Sequence, residues 1–226
     1  MYSTGIRDLD RLLGGGSRFG SVVLIEGGPN SAAEDFLLVS LPTLLNFLSL
    51  ERGAIVTPPL EMPVSRVREV ALRYLSSDLF DTRVRVTDYS TARTDEPWRV
   101  PMAKSGRTEM LRTMVGAEKA VRGPNHLPFL EVQGLDRLES MYGSERTVLM
   151  LASGIPRTKS SGNLGVLWVG SDSSAAAPAA GTADVHLAIS RRSDGIELSG
   201  IRPAFPARRL EWKEQAGTAW VELGLP

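Results

Sequence analysis

The sequence predicts an α/β protein, with a central, mostly parallel sheet flanked by helices and extended by antiparallel hairpins near the C-terminus. Short apolar, β-branched segments alternate with longer amphipathic segments up to about residue 170, as expected for strands joined by helices. After about residue 185, strand-like segments follow one another with only glycine-containing turns between them, which is typical of hairpins. No repeat or linker divides the chain, so one domain over residues 1–226 is expected.

Composition excludes several classes of function. The 226 residues are 42% hydrophobic and 23% charged, which is ordinary for a globular protein. The 26 basic and 26 acidic residues cancel, so no global field attracts nucleic acid or anionic lipid. The chain has no cysteine, which excludes disulfides and thiolate metal sites. No apolar run reaches about 18 residues, so we expect a cytoplasmic protein without membrane contact.

Strands are predicted where short β-branched runs end in turn residues. Those of the parallel region are residues 21–26, 54–57, 83–87, 129–133 and 163–169. The hairpin strands are residues 185–189, 196–199, 209–213 and 219–223, with Asp194-Gly195 and Ala216-Gly217 as turns.

Helices are predicted from the spacing of apolar residues. They are residues 4–13, 34–50, 64–75, 107–121 and 144–152. Pro42 is expected to kink the second helix, or to lie where a neighbour satisfies the freed carbonyl. The polar stretch 90–104 is predicted to be a loop in which Trp98 is exposed, and the Ser/Ala/Pro/Gly-rich stretch 171–181 a flexible loop.

The N-terminal segment 4–26, TGIRDLDRLLGGGSRFGSVVLIE, closely resembles the opening of KaiC-like and RadA-like members of the RecA superfamily of P-loop ATPases. The match continues through GLDRLE at residues 134–139 and Ala-Asp-Val at residues 183–185. It extends in order over nearly the whole chain. The resemblance implies a RecA-like P-loop fold, with a phosphate-binding loop after the strand at 21–26.

The phosphate loop departs from the family pattern, the Walker A motif G-x-x-x-x-G-K-[ST]. Its register gives Gly27-Gly28-Pro29-Asn30-Ser31-Ala32-Ala33-Glu34. Ala32 replaces the second glycine, Ala33 the lysine that reaches phosphate, and Glu34 the hydroxyl that holds Mg²⁺. Asp35 follows, so two carboxylates stand where a nucleotide would bring further negative charge.

The Walker B position has also changed. The family has an aspartate that orients Mg²⁺ at the end of an apolar strand, and the resemblance places Gln133 there. An amide is a poor substitute for a carboxylate toward Mg²⁺. The general base of the family would fall at Pro59 or Leu60. We therefore expect no catalytic residue, no cofactor and no metal.

Ser31 and Glu34 match the capping box S-x-x-E. In this motif the Ser31 hydroxyl would accept from the Glu34 N–H, and the Glu34 carboxylate from the Ser31 N–H. These donors bind phosphate in an active relative. The spacing predicts that the chain supplies its own anion at this helix start.

Three hypotheses about function follow from the resemblance. The first is a non-catalytic regulatory or scaffolding subunit that binds a protein partner, either a second copy or an active RecA/KaiC-family homologue, since relatives assemble side by side. The second is an ATPase with a rearranged site that uses Glu61, Glu131 or Asp136 and an arginine in place of the lysine.

The third hypothesis is a DNA-repair accessory factor that binds nucleic acid through Arg191-Arg192 and Arg208-Arg209. The loops that bind DNA in recombinases correspond to residues 134–145 and 171–181. The first mixes acidic with basic residues, and the second contains no basic or aromatic residue, which argues against this hypothesis.

His126 and His186 lie 60 residues apart without a clustered third metal ligand, so structural roles are predicted for both.

Overall fold

The computed structural model describes residues 1–28, 30–90, 95–102, 107–215 and 218–224. Within these ranges the strands form one ten-stranded sheet. The strands are β1 (Val22–Gly27), β2 (Ala54–Thr57), β3 (Val84–Asp88), β4 (Arg99–Pro101), β5 (Leu130–Gly134), β6 (Leu164–Gly170), β7 (Val185–Arg192), β8 (Gly195–Arg202), β9 (Ala204–Gln215) and β10 (Thr218–Leu223).

The sheet has the order β10-β9-β8-β7-β1-β6-β5-β2-β3-β4. All pairs from β7 to β4 are parallel, and the three pairs from β7 to β10 are antiparallel. The central strands are buried almost without interruption, as expected for a sheet covered on both faces. The predicted fold class is thus confirmed.

Helices cover both faces of this sheet. They are α1 (Arg7–Leu12), α2 (Asp35–Ser49), α3 (Val64–Ala71), α4 (Ser77–Arg83), α5 (Arg107–Arg122), α6 (Leu135–Tyr142), α7 (Ser144–Ser160) and α8 (Ala176–Thr182). Alternate residues of β1 belong to two separate apolar clusters, because successive side chains of a strand point to opposite faces. Phe36 and Phe47 of α2 lie in one cluster, and Ala117 of α5 and Leu151 of α7 in the other.

Two predicted loops contain regular structure. The stretch 90–104 includes the short parallel strand β4, although residues 91–94 and 103–104 lie outside the described residues. Trp98 is buried rather than exposed. Its ring packs against Phe80 at 6.0 Å, and the Arg68 guanidinium lies 5.7 Å away. Trp98 is thus buried by the stem of Arg68 and the ring of Phe80, although the stretch that contains Trp98 is polar in sequence.

The second corrected loop is the stretch 171–181, which contains α8. Its alanines allow a close approach to the sheet and to α7, so Ala175 and Ala179 are fully buried. The helices α4 and α6 were not predicted, and α7 extends eight residues beyond the predicted end at 152. The predicted turn at Ala216-Gly217 lies outside the described residues.

Candidate functional site

The altered phosphate loop and Gln133 lie at the same edge of the sheet. The loop follows β1, and Gln133 is near the end of β5, level with Thr57 of β2 and Leu167 of β6. Ligands of open parallel sheets bind outside the carboxyl ends of the strands. The fold thus brings the two predicted parts of the site to the expected edge; Pro29 of the loop lies outside the described residues.

Three backbone donors of the loop are bonded within the chain. The Gly28 N–H donates to the Ile189 carbonyl at 2.8 Å, and the Ser31 N–H donates to the Gly28 carbonyl at 2.9 Å. The Ala32 N–H donates to Oδ2 of Asp35 at 2.8 Å. In a working phosphate loop such N–H groups point at the ligand. Here they are satisfied by the protein's own oxygen atoms.

The predicted capping box between Ser31 and Glu34 is wrong. The helix α2 begins at Asp35, and exposed Glu34 caps it without a side-chain hydrogen bond. The Ser31 hydroxyl instead donates to the Gly28 carbonyl at 2.7 Å. The carboxylate that accepts from an N–H three residues earlier, that of Ala32, belongs to Asp35. The chain therefore supplies an anion at this helix start, one residue later than the spacing predicted.

Asp35 is held by an arginine from a distant strand. Its side chain is 1% exposed, and Nε and Nη2 of Arg191 donate to its two carboxylate oxygens. Arg191 lies at the end of β7, and its side chain is 45% exposed. The ion pair joins the start of α2 to the antiparallel part of the sheet. Half-buried Ala33, at the lysine position, packs against the apolar core instead.

There is little space above Gly27 at the start of the loop. A Cβ atom on Gly27 would lie 2.5 Å from the Ser31 hydroxyl and 3.0 Å from the Trp168 ring. Trp168 is itself buried, with its ring edge-on to Phe36 at 6.0 Å. Glycine is thus required here by close packing of the loop over an aromatic side chain.

The loop after β2, where the family places its general base, is fixed by Arg137. The Arg137 guanidinium donates to the carbonyls of residues 58, 59, 60 and 62 at 2.7–2.9 Å. Asp136 accepts from the Leu60 N–H at 3.0 Å. Burial lowers the pKa of Arg137. A Cβ on Gly134 would lie 2.7 Å from Pro59, so this loop also rests directly on the end of β5.

A third loop at this edge, after β6, is bound by Glu139. Its carboxylate accepts from the hydroxyls of Ser144 and Ser173 at 2.6 Å each, and from that of Ser174. These hydrogen bonds lower the pKa of Glu139. Arg137 and Glu139 both belong to the GLDRLE segment noted in the sequence, but their roles depend on contacts with loops that sequence spacing does not reveal.

The three carboxylates of the rearranged-ATPase hypothesis are not gathered at the phosphate loop. Glu61 is exposed in the loop after β2. Asp136 is engaged with backbone N–H groups. Glu131 bonds Thr158 and Asn163, which lie at the opposite, amino edge of β6. The geometry therefore does not favour a replacement set of Mg²⁺ ligands.

Glu131 is a buried acid with a structural environment. It is 7% exposed, and it accepts from Thr158 Oγ1 at 3.1 Å and Asn163 Nδ2 at 2.7 Å. Desolvation raises its pKa above the ordinary value of 4.5, although the hydrogen bond from Asn163 opposes the shift. The folded state consequently holds this proton more tightly than the unfolded state does.

The shift predicts a pH dependence of stability. Because the folded pKa is raised, the contribution of Glu131 is fully present below pH 4.5 and declines as the pH rises through the folded value. Glu131→Gln should remove that decline, so the variant gains stability relative to wild type as the pH rises above 4.5. Denaturant unfolding across this range measures it, with exposed Glu145→Gln as control. Parallel curves for wild type and Glu131→Gln would contradict the assignment.

The histidines contribute no site. Nε2 of His186 lies 2.9 Å from Oε2 of Glu26 on the neighbouring strand, a contact within the sheet. In the part of the chain that the structure describes, no three His, Cys, Asp or Glu side chains are grouped to hold a metal ion. Over the same residues, no helix is long and apolar enough to cross a membrane.

The sheet order and the position of the altered loop define a RecA-like α/β domain of the KaiC-like type. The structure of the KaiC-like protein PH0186 from Pyrococcus horikoshii matches with a TM-score of 0.65, covering 97% of each chain at 12% identity. This likeness concerns the fold. A family model described as GvpD basic region 2 matches residues 1–150. The chain belongs to this GvpD family.

Two relatives from Halobacterium salinarum agree with this membership. Protein GvpD2 is 27% identical over 231 aligned residues, which cover 96% of this chain and 45% of GvpD2. Protein GvpD1 is 45% identical over 85 residues, which cover 38% of this chain and 16% of GvpD1. The chain therefore spans less than half the length of the relatives it matches.

Proposed function

We propose that this protein is a non-catalytic RecA/KaiC-like domain that serves as a regulatory or scaffolding element through protein–protein contacts. The observation that carries the proposal is the Asp35 carboxylate at the start of α2. It bonds the Ala32 N–H and pairs with Arg191, so a backbone donor that would serve a phosphate already has an anionic partner. The chain's place in a family with longer members, GvpD1 and GvpD2, is consistent with a domain that works beside others.

Electrostatics oppose nucleotide binding at this loop. A nucleoside triphosphate would bring about four negative charges toward Glu34 and Asp35, and like charges about 4 Å apart repel by several kcal/mol in a partly buried site. Arg191 lies against the start of α2, but it is already paired with Asp35. Ala33 offers no charge to offset the repulsion.

Titration calorimetry tests the nucleotide part of the proposal. We expect no measurable binding of ATP or ADP at millimolar concentration, with or without Mg²⁺. A catalytically active RecA-family ATPase in the same buffer is the positive control. Micromolar affinity of the wild-type protein for ATP would refute the pseudo-ATPase assignment. The triple change Ala33→Lys, Glu34→Thr and Asp35→Ala removes both carboxylates and restores the lysine, so any regained binding should appear there first.

The proposed partner is a protein, either a second copy of this chain or an active RecA/KaiC-family homologue, and the proposed setting is the cytoplasm. The loop after β6 offers little to nucleic acid, because its serines are bonded to Glu139. In the segment after β5, Arg137 is half-buried and directed to backbone carbonyls of the loop after β2. Neither loop presents the free cations that a phosphate backbone requires.

A further inference from the structure

A groove of about 610 Å³ lies beside the altered phosphate loop, between the first turns of α2 and the strands β7, β8 and β9. Four cationic side chains line it, against a single acidic one. The cations are Arg191, Arg192, Arg209 and Lys213, and the acid is Glu211. Two further carboxylates, those of Asp35 and Glu197, pair with these cations. The groove therefore carries a small excess of positive charge on a chain with no net charge.

The guanidinium of Arg209 is positioned by the backbone of the β7–β8 turn. Its Nη2 donates to the Asp194 carbonyl. A Cβ atom on Gly195 would lie 2.9 Å from Nε of Arg209, so the glycine leaves the space that this side chain occupies. Arg209 is therefore held at the groove by the local fold as well as by charge.

Neighbouring carboxylates leave much of this cationic surface available. Arg192 pairs with Glu197 through Nε at 3.2 Å, and Glu211 is shared between Arg209 at 3.9 Å and Lys213. The side chains of Arg192 and Arg209 are 64% and 51% exposed. A guanidinium has five N–H donors, so both arginines keep donors for the oxygen atoms of a ligand.

The groove also has an apolar side. It is lined there by Leu38, Ile196, Leu210 and Trp212. The Trp212 ring packs against Tyr74 at 5.5 Å, which orients it beside the cations. Aromatic and arginine side chains placed together are the groups that contribute most to protein–protein interfaces.

These features favour an acidic protein segment over a nucleic acid. A polyphosphate backbone needs a row of cations, because its affinity grows with the number of phosphates that are neutralised. Here the carboxylates of Asp35, Glu197 and Glu211 are interleaved with the cations. A peptide can place separate carboxylates opposite Arg192 and Arg209 and an apolar side chain against Trp212.

We propose that the groove between α2 and β7–β9 is the docking site for an acidic segment of a partner protein that carries an apolar or aromatic residue between its carboxylates. This proposal rests on the proposed function, because it names the surface through which the protein contacts are made. It is independent of how the phosphate loop treats nucleotides.

Peptide display on the full chain tests the proposal. A random twelve-residue library is selected on the wild-type protein, and the enriched peptides are compared with those from the double variant Arg192→Glu, Arg209→Glu. We expect Asp/Glu-rich peptides with an aromatic or apolar residue from wild type only. Fluorescence anisotropy of a selected peptide should show affinity more than about tenfold weaker for the double variant.

The experiment also includes a control variant and a nucleic-acid ligand for comparison with the peptide. Arg112→Glu reverses an exposed charge on α5, which packs on the other face of the sheet, and should leave peptide affinity unchanged. Three outcomes would overturn the groove assignment: no acidic enrichment, selected peptides that bind the double variant equally, or tighter binding of a single-stranded thymidine oligonucleotide than of peptide. Enriched peptides that bind away from the groove would refute the groove assignment but not the proposed function. Micromolar ATP binding would refute the pseudo-ATPase assignment but not the groove.

Discussion

Arg137→Ala is expected to lower the free energy of unfolding by about 3–4 kcal/mol, since hydrogen bonds from a charged group are worth about 1.5–3 kcal/mol each and are not additive. The side chain donates to four backbone carbonyls of the loop after β2. Three of those contacts share Nη2, so they cannot all be of full strength. Without the guanidinium, the Pro58 carbonyl loses the Arg137 hydrogen bond, and the Pro59 carbonyl keeps the hydrogen bond from the Met62 N–H at 3.0 Å.

Denaturant unfolding measures the loss of unfolding free energy, and two further variants serve for comparison. Arg137→Lys keeps the charge but not the planar fork, so it should restore less than half of the stability. Exposed Arg112→Ala should cost no more than about 0.5 kcal/mol. Hydrogen exchange of the amides of residues 60–62 should accelerate in Arg137→Ala. A loss below about 1 kcal/mol with unchanged exchange would show that Arg137 does not hold the loop.

Arg191→Ala is expected to destabilise the fold by about 2–3 kcal/mol. Removing one partner of a buried pair costs about 3–5 kcal/mol when the other charge stays buried. Arg191 itself is 45% exposed, so solvent screening reduces the effect. The variant leaves the Asp35 carboxylate, 1% exposed, with the Ala32 N–H as its hydrogen-bond donor.

A double-mutant cycle separates this ion pair from simple loss of packing. Adding Asp35→Asn to Arg191→Ala removes the stranded charge, so the double variant should recover at least about 1 kcal/mol relative to Arg191→Ala alone. Ser31→Ala is the comparison at the same loop and should cost less, because it loses one neutral hydrogen bond to the Gly28 carbonyl. Strictly additive losses would show that Asp35 and Arg191 are not coupled.

These two predictions bear on the proposed function. Arg137 fixes the segment where the resemblance to RecA-family ATPases would place a general base, and Arg191 pairs with the carboxylate that follows the expected phosphate loop. Each of the two arginines joins two segments of the chain at the carboxyl edge of the sheet. Under the proposed function, a domain whose carboxyl-edge loops are held by its own side chains needs no ligand to order them.

Local sequence patterns were sufficient to predict most of the strands and helices. The strands β1, β2, β3, β5, β6 and the C-terminal hairpin strands were predicted, because periodicity and turn residues depend on near neighbours in sequence. The helices α4 and α6 were missed, since each is short and closely followed by another element. Trp98 was misplaced because its burial depends on Phe80 and Arg68.

The sequence by itself determined the identities at the loop: Ala33 at the lysine position, Gln133 at the end of β5, and two consecutive carboxylates at the start of α2. It also determined that a helix start with its own anion was expected there. Only the tertiary structure decided that the anion is Asp35 and not Glu34. The choice depends on which carboxylate faces Arg191, 156 residues away in sequence, and spacing along one helix carries no information about a partner brought in by the sheet.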